Sequence, residues 1–278
     1  MVAAMAGFAI EDMFLKAAAG AVPIGQVMIW FGGGGALIFA LLARARGEAV
    51  FPRQAFQRTM LMRAVFEVLG RLFYTLAIIL TPLSSATVIL QAAPIVVVAG
   101  AAVFFREHVG WRRWTAIGVG CLGVLIILKP GAATFTPLSI LAVLGMLGFA
   151  ARDLTTRAVP SVLGTNAIGV WGFLAIVVAG ALFNAYEGAT LTMPAPGAWG
   201  SLGLAVVFGT AGYAALTLAM RTGEISAVAP FRYSRLIFGV ALGVIVFGES
   251  LDLTTILGSL LVVSAGLYIL FRGRSQRP

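Results

Sequence analysis

The sequence predicts an all-α integral membrane protein, in which ten transmembrane helices form two inverted five-helix repeats. Composition is the first indication: 60% of the 278 residues are hydrophobic and 10% are charged, whereas a soluble domain is about 25% charged. The second indication is that apolar segments of roughly 20 residues recur without the alternation typical of β-barrel strands. The third is that landmarks of the first half of the chain return in the second half.

Ten apolar segments are predicted to cross the bilayer, because about 20 helical residues span about 30 Å. They cover approximately residues 2–19, 23–42, 59–80, 83–105, 111–128, 137–153, 166–183, 198–220, 225–247 and 253–271. The first segment lacks the basic start of a signal peptide and contains acidic residues, so we interpret it as a retained span. Pro94 predicts a kink in the fourth span, and the run Gly32–Gly35 predicts close helix packing in the second.

Lysine and arginine residues concentrate in alternate links and at the span ends beside them. Thirteen lie on one side of the membrane, and Lys129 lies alone on the other. The thirteen are Arg44, Arg46, Arg53, Arg58, Arg106, Arg112, Arg113, Arg152, Arg157, Arg221, Arg272, Arg274 and Arg277. The positive-inside rule therefore predicts cytoplasmic N and C termini, in a multi-pass protein of a bacterial-type inner membrane. These links explain the net charge of +9, and nucleic-acid binding is not indicated.

The third span, Thr59–Leu80, carries charged residues that an apolar helix tolerates poorly. Arg63, Glu67 and Arg71 are spaced four apart and therefore lie on one stripe of the helix. Each ionised group at the bilayer centre costs about 2.5–3.5 kcal/mol. The stripe is therefore expected to face other helices or a water-filled cavity. For Arg63, snorkelling to the cytoplasmic interface is the alternative.

The first and ninth spans carry charges roughly 10–15 Å from the cytoplasmic end at about 1.5 Å per residue, a depth similar to that of Glu67 and Arg71 at about 12 and 18 Å. These charged residues are Glu11, Asp12, Arg232 and Arg235. We therefore expect one polar cavity near the bilayer centre. Asp12 and Lys16 are four apart, a spacing that allows them to pair. Glu11 points about 100° away from Asp12 and needs another partner, such as Arg71 or Arg235.

The two halves of the chain share landmarks at a nearly constant separation. Ser85-Ala86 matches Ser226-Ala227, Glu107 matches Glu249, and Gly118 matches Gly258, at offsets of 141, 142 and 140 residues. Because five spans is an odd number, the second copy would enter the membrane in the opposite direction. The predicted repeats are residues 1–134 and 135–278.

Around these landmarks the chain resembles the drug/metabolite transporter superfamily, with two EamA-type repeats. The resemblance rests on Pro94, Phe105-Arg106-Glu107, Gly118…Gly123, Phe247-Gly248-Glu249 and Gly258…Gly266. It implies a carrier that works by alternating access, with a central site lined by spans one, three, four, six, eight and nine. Similar proteins move amino acids, nucleotide-like compounds, vitamins or xenobiotics, inward or outward. Arg235 falls where the first copy has Pro94, so the two halves differ chemically.

Eight residues are predicted to line the substrate cavity. They are Glu11, Asp12, Glu67, Arg71, Tyr74, Tyr213, Arg232 and Arg235. The acids Glu11, Asp12 and Glu67 are candidates for proton coupling. Positive charge is in excess within the spans, which favours a substrate with a carboxylate or phosphate. The tyrosines offer walls for a flat organic molecule, and Trp30 and Trp171 are further candidates. For any single charge, an internal salt bridge that orients helices is the alternative.

The sequence thus predicts a secondary transporter of small organic metabolites, with export of amino acids, aromatic ones included, as the first choice. An uptake carrier for a vitamin or nucleoside-like cofactor such as riboflavin is the main alternative. A membrane-embedded enzyme is disfavoured, because the in-span acids are buried rather than clustered at the interface. The single cysteine, Cys121, and the single histidine, His108, indicate no zinc site. No cofactor or metal is expected; the expected partners are a small-molecule substrate and the lipid bilayer, and a monomer is favoured over a dimer.

Overall fold

The computed structural model describes residues 1–81, 83–128, 138–160, 162–222 and 228–247, with scattered positions between 253 and 268. All regular structure in these residues is helical. Several landmarks of the sequence comparison, among them Ser226-Ala227, Glu249 and Gly266, lie outside the described residues, as does Lys129. Part of the predicted tenth span lies outside them as well.

Ten helices have defined bounds in the described part of the chain. They are α1 (Val2–Ala19), α2 (Ile24–Ala45), α3 (Arg58–Leu80), α4 (Leu83–Leu90), α5 (Ala93–Phe104), α6 (Trp111–Leu128), α7 (Ser139–Ala158), α8 (Thr165–Glu187), α9 (Pro196–Thr222) and α10 (Ser234–Phe247). Short 3₁₀ turns, Arg53–Phe56 and Ala229–Tyr233, precede α3 and α10. Among the described residues, α2, α7, α8 and α9 are long and apolar enough to cross a membrane by length and hydropathy alone.

The bounds of α1, α2, α3, α6, α8 and α9 lie close to the predicted spans, whereas the sixth span differs in a way that matters for function. The predicted sixth span ends at residue 153, whereas α7 continues to Ala158. Its last two turns keep charged residues helical because their side chains find partners on α3, α9 and the 3₁₀ turn before α10. The charged residues Arg152 and Asp153 therefore belong to the helix bundle and not to a link.

The predicted fourth span is interrupted, and Pro94 explains the interruption. Residues 91 and 92 form a turn between α4 and α5, and Pro94 occupies the first turn of α5. Proline lacks an N–H and is tolerated there because the first helical N–H groups have no intrahelical acceptor. The predicted kink is confirmed, and the turn places Gln91 beside the centre of the bundle.

Helix packing pairs elements that are far apart in sequence. The closest associations are α1 with α9, α2 with α8 and α3 with α7, while α10 packs on α1 and α4. The pair α3 and α7 is antiparallel, because Arg63 contacts Thr156 whereas Gly70 contacts Gly148. The pair α1 and α9 is also antiparallel, because Gly212 lies against Ala4 while Gly209 lies against Glu11.

Glycines permit the closest helix contacts. A Cβ atom on Gly148 would lie 2.5 Å from the backbone nitrogen of Gly70, and one on Gly7 would lie 3.1 Å from the Cα of Gly212. A Cβ on Gly35 of α2 would overlap the Phe173 ring of α8. The close packing predicted for the glycine run of α2 is therefore confirmed.

The bundle reverses the distribution of polarity found in a soluble protein. Large apolar side chains such as Leu37, Leu41, Val65 and Leu182 are more than half exposed. Ionisable side chains, by contrast, are buried between the helices. This arrangement suits a chain with apolar surroundings and a hydrophobic core that encloses a cluster of charged groups.

Candidate substrate site

Charged side chains gather at the centre of the bundle. Among the described residues, nine are buried, each no more than 8% exposed: Glu11, Asp12, Arg63, Glu67, Arg71, Arg152, Asp153, Arg232 and Arg235. They come from α1, α3, α7, the 3₁₀ turn before α10, and α10 itself. Five guanidinium groups face four carboxylates, so the cluster carries one positive charge in excess.

The acids of α1 pair with arginines of two other helices. Arg71 Nη1 of α3 donates to Glu11 Oε1 at 2.6 Å. Arg235 Nη2 of α10 donates to Asp12 Oδ2, and the Tyr74 hydroxyl donates to the same oxygen at 3.4 Å. The Arg235 guanidinium also lies over the ring of Tyr74, at 5.4 Å from its centroid. These contacts fix α1 against α3 and α10.

A second group of contacts is centred on Glu67 of α3. Glu67 Oε2 accepts from the Tyr213 hydroxyl at 2.9 Å and from Arg63 Nη2 at 3.3 Å, and Oε1 accepts from Arg152 Nη1 at 3.0 Å. Arg63 Nε donates to Thr156 Oγ1 at 2.9 Å. The carboxylate therefore joins α3, α7 and α9 through charge-assisted hydrogen bonds.

Asp153 holds two arginines beside each other. Its Oδ1 lies 2.8 Å from Arg152 Nε, and its Oδ2 accepts from Arg232 Nη2. Because Arg232 belongs to the 3₁₀ turn before α10, this pair connects α7 to that turn. The arrangement parallels the contact of Asp12 with Arg235.

A small cavity of about 30 Å³ lies among these groups. It is lined by Met5, Phe8, Arg71, Leu90, Gln91, Ala93, Phe149, Arg152, Leu216, Arg232 and Arg235. At roughly 10–15 Å³ per water, it has room for about two water molecules. Within the described part of the chain, the buried Nε atoms of Arg71, Arg232 and Arg235 have no hydrogen-bond acceptor. Spare guanidinium donors at the wall of a cavity can bind an anionic group.

The structure brings all eight predicted cavity residues to this region, in two roles. Arg71, Arg232 and Arg235 line the cavity. The other five lie behind the arginines and hydrogen-bond within the surrounding network: Glu11, Asp12, Glu67, Tyr74 and Tyr213. The predicted partnership of Glu11 with Arg71 is confirmed.

The two tryptophan candidates lie elsewhere. Trp30 packs edge-on against Trp199, with ring centroids 5.0 Å apart. Trp171 packs against Phe56 at 5.2 Å and against Phe51 at 6.5 Å. Neither side chain lines the cavity. Both rings pack against other aromatic rings, which is the commoner role of aromatic residues in membrane spans.

The structure decides among the alternatives for three charges. Asp12 pairs with Arg235, and Lys16 Nζ reaches backbone carbonyls of Ile78 and Thr81. Arg63 does not snorkel, because Thr156, Glu67 and Tyr213 supply acceptors inside the bundle. Arg152 is not an interfacial link residue, because it is buried against Glu67 and Asp153.

Sequence reasoning missed Arg152 and Asp153, although a signal was available. The pattern Met5-x-Gly7-Phe8-Ala9-x-x-Asp12 of α1 returns in α7 as Met146-x-Gly148-Phe149-Ala150-x-x-Asp153, displaced by 141 residues. That is an offset already found between the landmarks of the two halves. The match identifies Asp153 as the counterpart of Asp12, and Arg152 as the counterpart of Glu11.

An apolar exterior, a bundle of long helices and a central cavity with paired charges define a membrane protein that handles small polar molecules. The sequence profile of the EamA-like transporter family matches residues 1–129 and again 137–272. The chain belongs to this family. It is therefore a multi-pass membrane transporter of small molecules.

Characterised relatives differ in what they carry. The chain is 28% identical over 214 residues to an S-adenosylmethionine uptake transporter of Rickettsia bellii, covering 76% of this chain and 72% of the relative. It is 28% identical to a riboflavin transporter of Rhizobium johnstonii, covering 76% and 69%. It is 29% identical over 262 residues to the pseudopaline exporter CntI of Pseudomonas aeruginosa, covering 93% and 90%.

A solved crystal structure shares the fold. It superimposes with a TM-score of 0.77 at 18% sequence identity, covering 99% of this chain and 98% of the other. At that identity the similarity concerns the architecture alone. The chain thus has the fold of a structure already determined by crystallography, and its substrate has to be argued from its own site.

Proposed function

We propose that the protein is a secondary carrier in which two inverted halves alternate around the arginine-lined cavity, and that its cargo is an amino acid or a compound that contains one. The observation that carries this proposal is the set of buried arginines with spare donors at a central cavity. A carboxylate can accept two parallel hydrogen bonds from a guanidinium. Outward movement of amino acids, aromatic ones included, remains the first choice.

Helix packing supports the inverted arrangement. In two equivalent halves, α7 is the counterpart of α1, and α9 is the counterpart of α3. Exchanging the halves therefore turns the packed pair α3–α7 into the pair α9–α1. Both pairs are among the closest in the bundle. The glycine contacts obey the same relation, since Gly70 with Gly148 corresponds to Gly212 with Gly7. An approximate two-fold axis in the membrane plane produces this pattern.

The cavity size supports a carrier that must change shape. A volume of about 30 Å³ is too small for an amino acid, because one water molecule already needs roughly 10–15 Å³. The cavity therefore has to enlarge before it can hold a cargo of that size. Loading requires at least one face of the bundle to open, as alternating access demands.

Aromatic groups next to the arginines favour a cargo with a flat or apolar part. Phe149 lies under both Arg71 and Arg152, at 5.6 and 4.9 Å from the guanidinium carbons. Phe8 lies under Arg235 at 5.3 Å. A carboxylate on the arginines would thus leave the remainder of the molecule against these rings.

The second candidate is uptake of a nucleoside-like or vitamin cargo. It is favoured by relatives named as uptake transporters for S-adenosylmethionine and by relatives named as riboflavin transporters. S-adenosylmethionine joins an adenosyl group to methionine, and so combines an amino-acid carboxylate with a flat base. The same arginines and phenylalanines would serve both candidates.

Proton coupling is proposed for Glu11, Asp12 and Glu67. Each carboxylate is neutralised by an arginine in this structure. A cargo carboxylate that binds these arginines competes with the internal acids, and an acid displaced into a poorly hydrated cavity would take up a proton. Cargo binding and proton binding are then linked through the shared arginines.

The test combines binding with directional transport. Purified protein is screened by thermal shift against amino acids, S-adenosylmethionine and riboflavin. The uptake and the release of any stabilising compound are then measured in proteoliposomes that start without it or loaded with it. We expect stabilisation by a carboxylate-bearing compound to be lost in Arg71→Ala and Arg235→Ala but retained in Arg46→Ala, whose exposed side chain is the matched control. Stabilisation that survives both cavity substitutions would place the binding site elsewhere.

A further inference from the structure

Lys16 contacts the end of a neighbouring helix. Its Nζ donates to the carbonyl oxygens of Ile78 at 3.2 Å and of Thr81 at 3.3 Å. These carbonyls lie at the C-terminal end of α3, where backbone oxygens lack intrahelical partners and carry the negative end of the helix dipole. A cation placed there stabilises the helix end and fastens α1 to α3.

Arg157 makes a similar contact elsewhere in the bundle. Its Nη1 donates to the carbonyl oxygen of Arg221 at 3.1 Å, at the C-terminal end of α9. The Arg221 side chain in turn donates to the carbonyls of Pro160 and Leu163, which follow α7. These bonds fasten α7 to α9.

The two contacts occupy equivalent positions in the two halves. Lys16 and Arg157 are 141 residues apart, the same offset as Asp12 and Asp153 on the same two helices. The helices that they cap are also equivalent, because Val65-Phe66-x3-Gly70-x4-Thr75-Leu76-Ala77 of α3 returns 142 residues later in α9 as Val207-Phe208-x3-Gly212-x4-Thr217-Leu218-Ala219. In both halves, therefore, a cation of the first helix, α1 or α7, contacts backbone carbonyls at the C-terminal end of α3 or α9.

The contacts lie on opposite faces of the bundle. Helices α1 and α3 run in parallel, because Glu11 contacts Arg71 and, further along, Lys16 contacts Ile78. Both helices thus end on one face, where Lys16 lies. Helix α7 is antiparallel to α3 and α9 is antiparallel to α1, so the ends of α7 and α9, with Arg157, lie on the other face.

We propose that Lys16 and Arg157 are symmetry-related positioning residues, each of which holds one face of the transporter closed. This proposal rests on the alternating-access function proposed above. Both contacts are made in the present structure, and the cavity between them has room for only about two water molecules. Each face opens by releasing its own contact while the other is kept.

The Lys16 and Arg157 side chains therefore have opposite effects on the equilibrium between states open at one face and states open at the other. Loss of the Lys16 contact favours states open at the face where α3 ends, and loss of the Arg157 contact favours states open at the face where α9 ends. A charge-assisted hydrogen bond changes such an equilibrium by about ten-fold. A contact that only maintained the fold would not produce two shifts of opposite sign.

The experiment measures access to the cavity from each side of the membrane. Cys121 is replaced by serine, and Ala93→Cys or Leu216→Cys places a single thiol in the cavity wall. An impermeant anionic methanethiosulfonate is applied to right-side-out and inside-out vesicles, and a protease-sensitive N-terminal tag reports which face is outside. The ratio of the two labelling rates is compared for Lys16→Met, Arg157→Met, the double variant, and the conservative variants Lys16→Arg and Arg157→Lys.

We expect Lys16→Met and Arg157→Met to shift the ratio of the two labelling rates about ten-fold in opposite directions. The double variant should return this ratio toward the parent value. The conservative variants should leave it unchanged. If methionine prevents folding, Lys16→Gln and Arg157→Gln provide the same comparison. Shifts of the same sign, or an unchanged ratio in folded variants, would overturn the assignment. A thiol that reacts from a single side in every variant, parent included, would instead refute alternating access itself, and neither result depends on knowing the cargo.

Discussion

Arg71 of α3 donates to Glu11 of α1 at 2.6 Å, and both side chains are buried. The pair spans 60 residues of sequence and joins two helices that line the central cavity. The two side chains have different roles in the pair. Glu11 neutralises an arginine that would otherwise be an uncompensated buried charge, and Arg71 retains further donors for a ligand.

The pair predicts a specific pattern of stabilities. Arg71→Met should lower the free energy of unfolding by about 3–5 kcal/mol, because it leaves a buried carboxylate without its partner. Arg71→Met combined with Glu11→Gln should be less destabilised than Arg71→Met alone. Thermal unfolding of the purified variants measures both. With Glu11→Gln measured alone as well, a double variant destabilised by the sum of the two single changes would show that the two side chains are not coupled.

The glycine contact between α3 and α7 predicts a strong effect from one methyl group. Gly148→Ala should cost about 1–3 kcal/mol or more, because its Cβ would lie 2.5 Å from the Gly70 nitrogen and the helices would have to separate. Gly33→Ala is the matched control, since a Cβ there meets nothing within 4 Å. Alanine at Gly33 should be neutral or slightly stabilising, because it favours the helix. Thermal melts that ranked the two variants in the reverse order would contradict the packing described for α3 and α7.

The hydrogen bond from the Tyr213 hydroxyl to Glu67 is expected to contribute to the stability of the folded protein. Tyr213→Phe removes the donor to Glu67 Oε2 while keeping the ring, and should cost about 1–3 kcal/mol in unfolding free energy. Tyr186→Phe is the control, because Tyr186 is 84% exposed and should be unaffected. Chemical or thermal unfolding compares them, and similar values for the two variants would argue against a structural role for this hydroxyl.

The negative charge of Asp153 is expected to lower the affinity of the cavity for anionic compounds. Asp153→Asn removes one negative charge beside Arg152 and Arg232 while preserving shape. Affinity for anionic compounds should therefore rise several-fold, with a larger gain for dianions than for monoanions, and the gain should shrink at high salt. Equilibrium binding of a series of compounds of increasing negative charge measures this. A loss of anion affinity in the folded variant would mean that Asp153 orients the arginines more than it competes for them.

Much of the site could be predicted from the sequence because burial of charge in an apolar span is a local property. The stripe of Arg63, Glu67 and Arg71 is visible from helical spacing alone, and its need for an internal partner follows from the cost of solvating charge in lipid. The partners themselves were harder to assign. Asp12 has Lys16 one turn away on its own helix, yet it pairs with Arg235, more than 220 residues distant.

Arg152 and Asp153 show that position along the chain alone does not tell whether a charge lies in a link or inside the bundle. Their position near the end of a predicted span suggested an interfacial link, since arginines there are typical of the cytoplasmic side. In the structure Glu67 and Arg232 supply partners of opposite charge, so the helix continues and its charges are buried. Only the lateral position of α7 against α3 provides that information.

The sequence alone determined that the protein is helical and embedded in a membrane, and that charged residues from several spans gather at mid-depth. It did so because hydropathy, helical periodicity and depth along a span depend on neighbouring residues. Tertiary structure decided which acid neutralises which arginine, and that α7 contributes to the cavity. Those features depend on where helices cross, and the crossings are set by glycine contacts such as Gly70 with Gly148, between residues far apart in the chain.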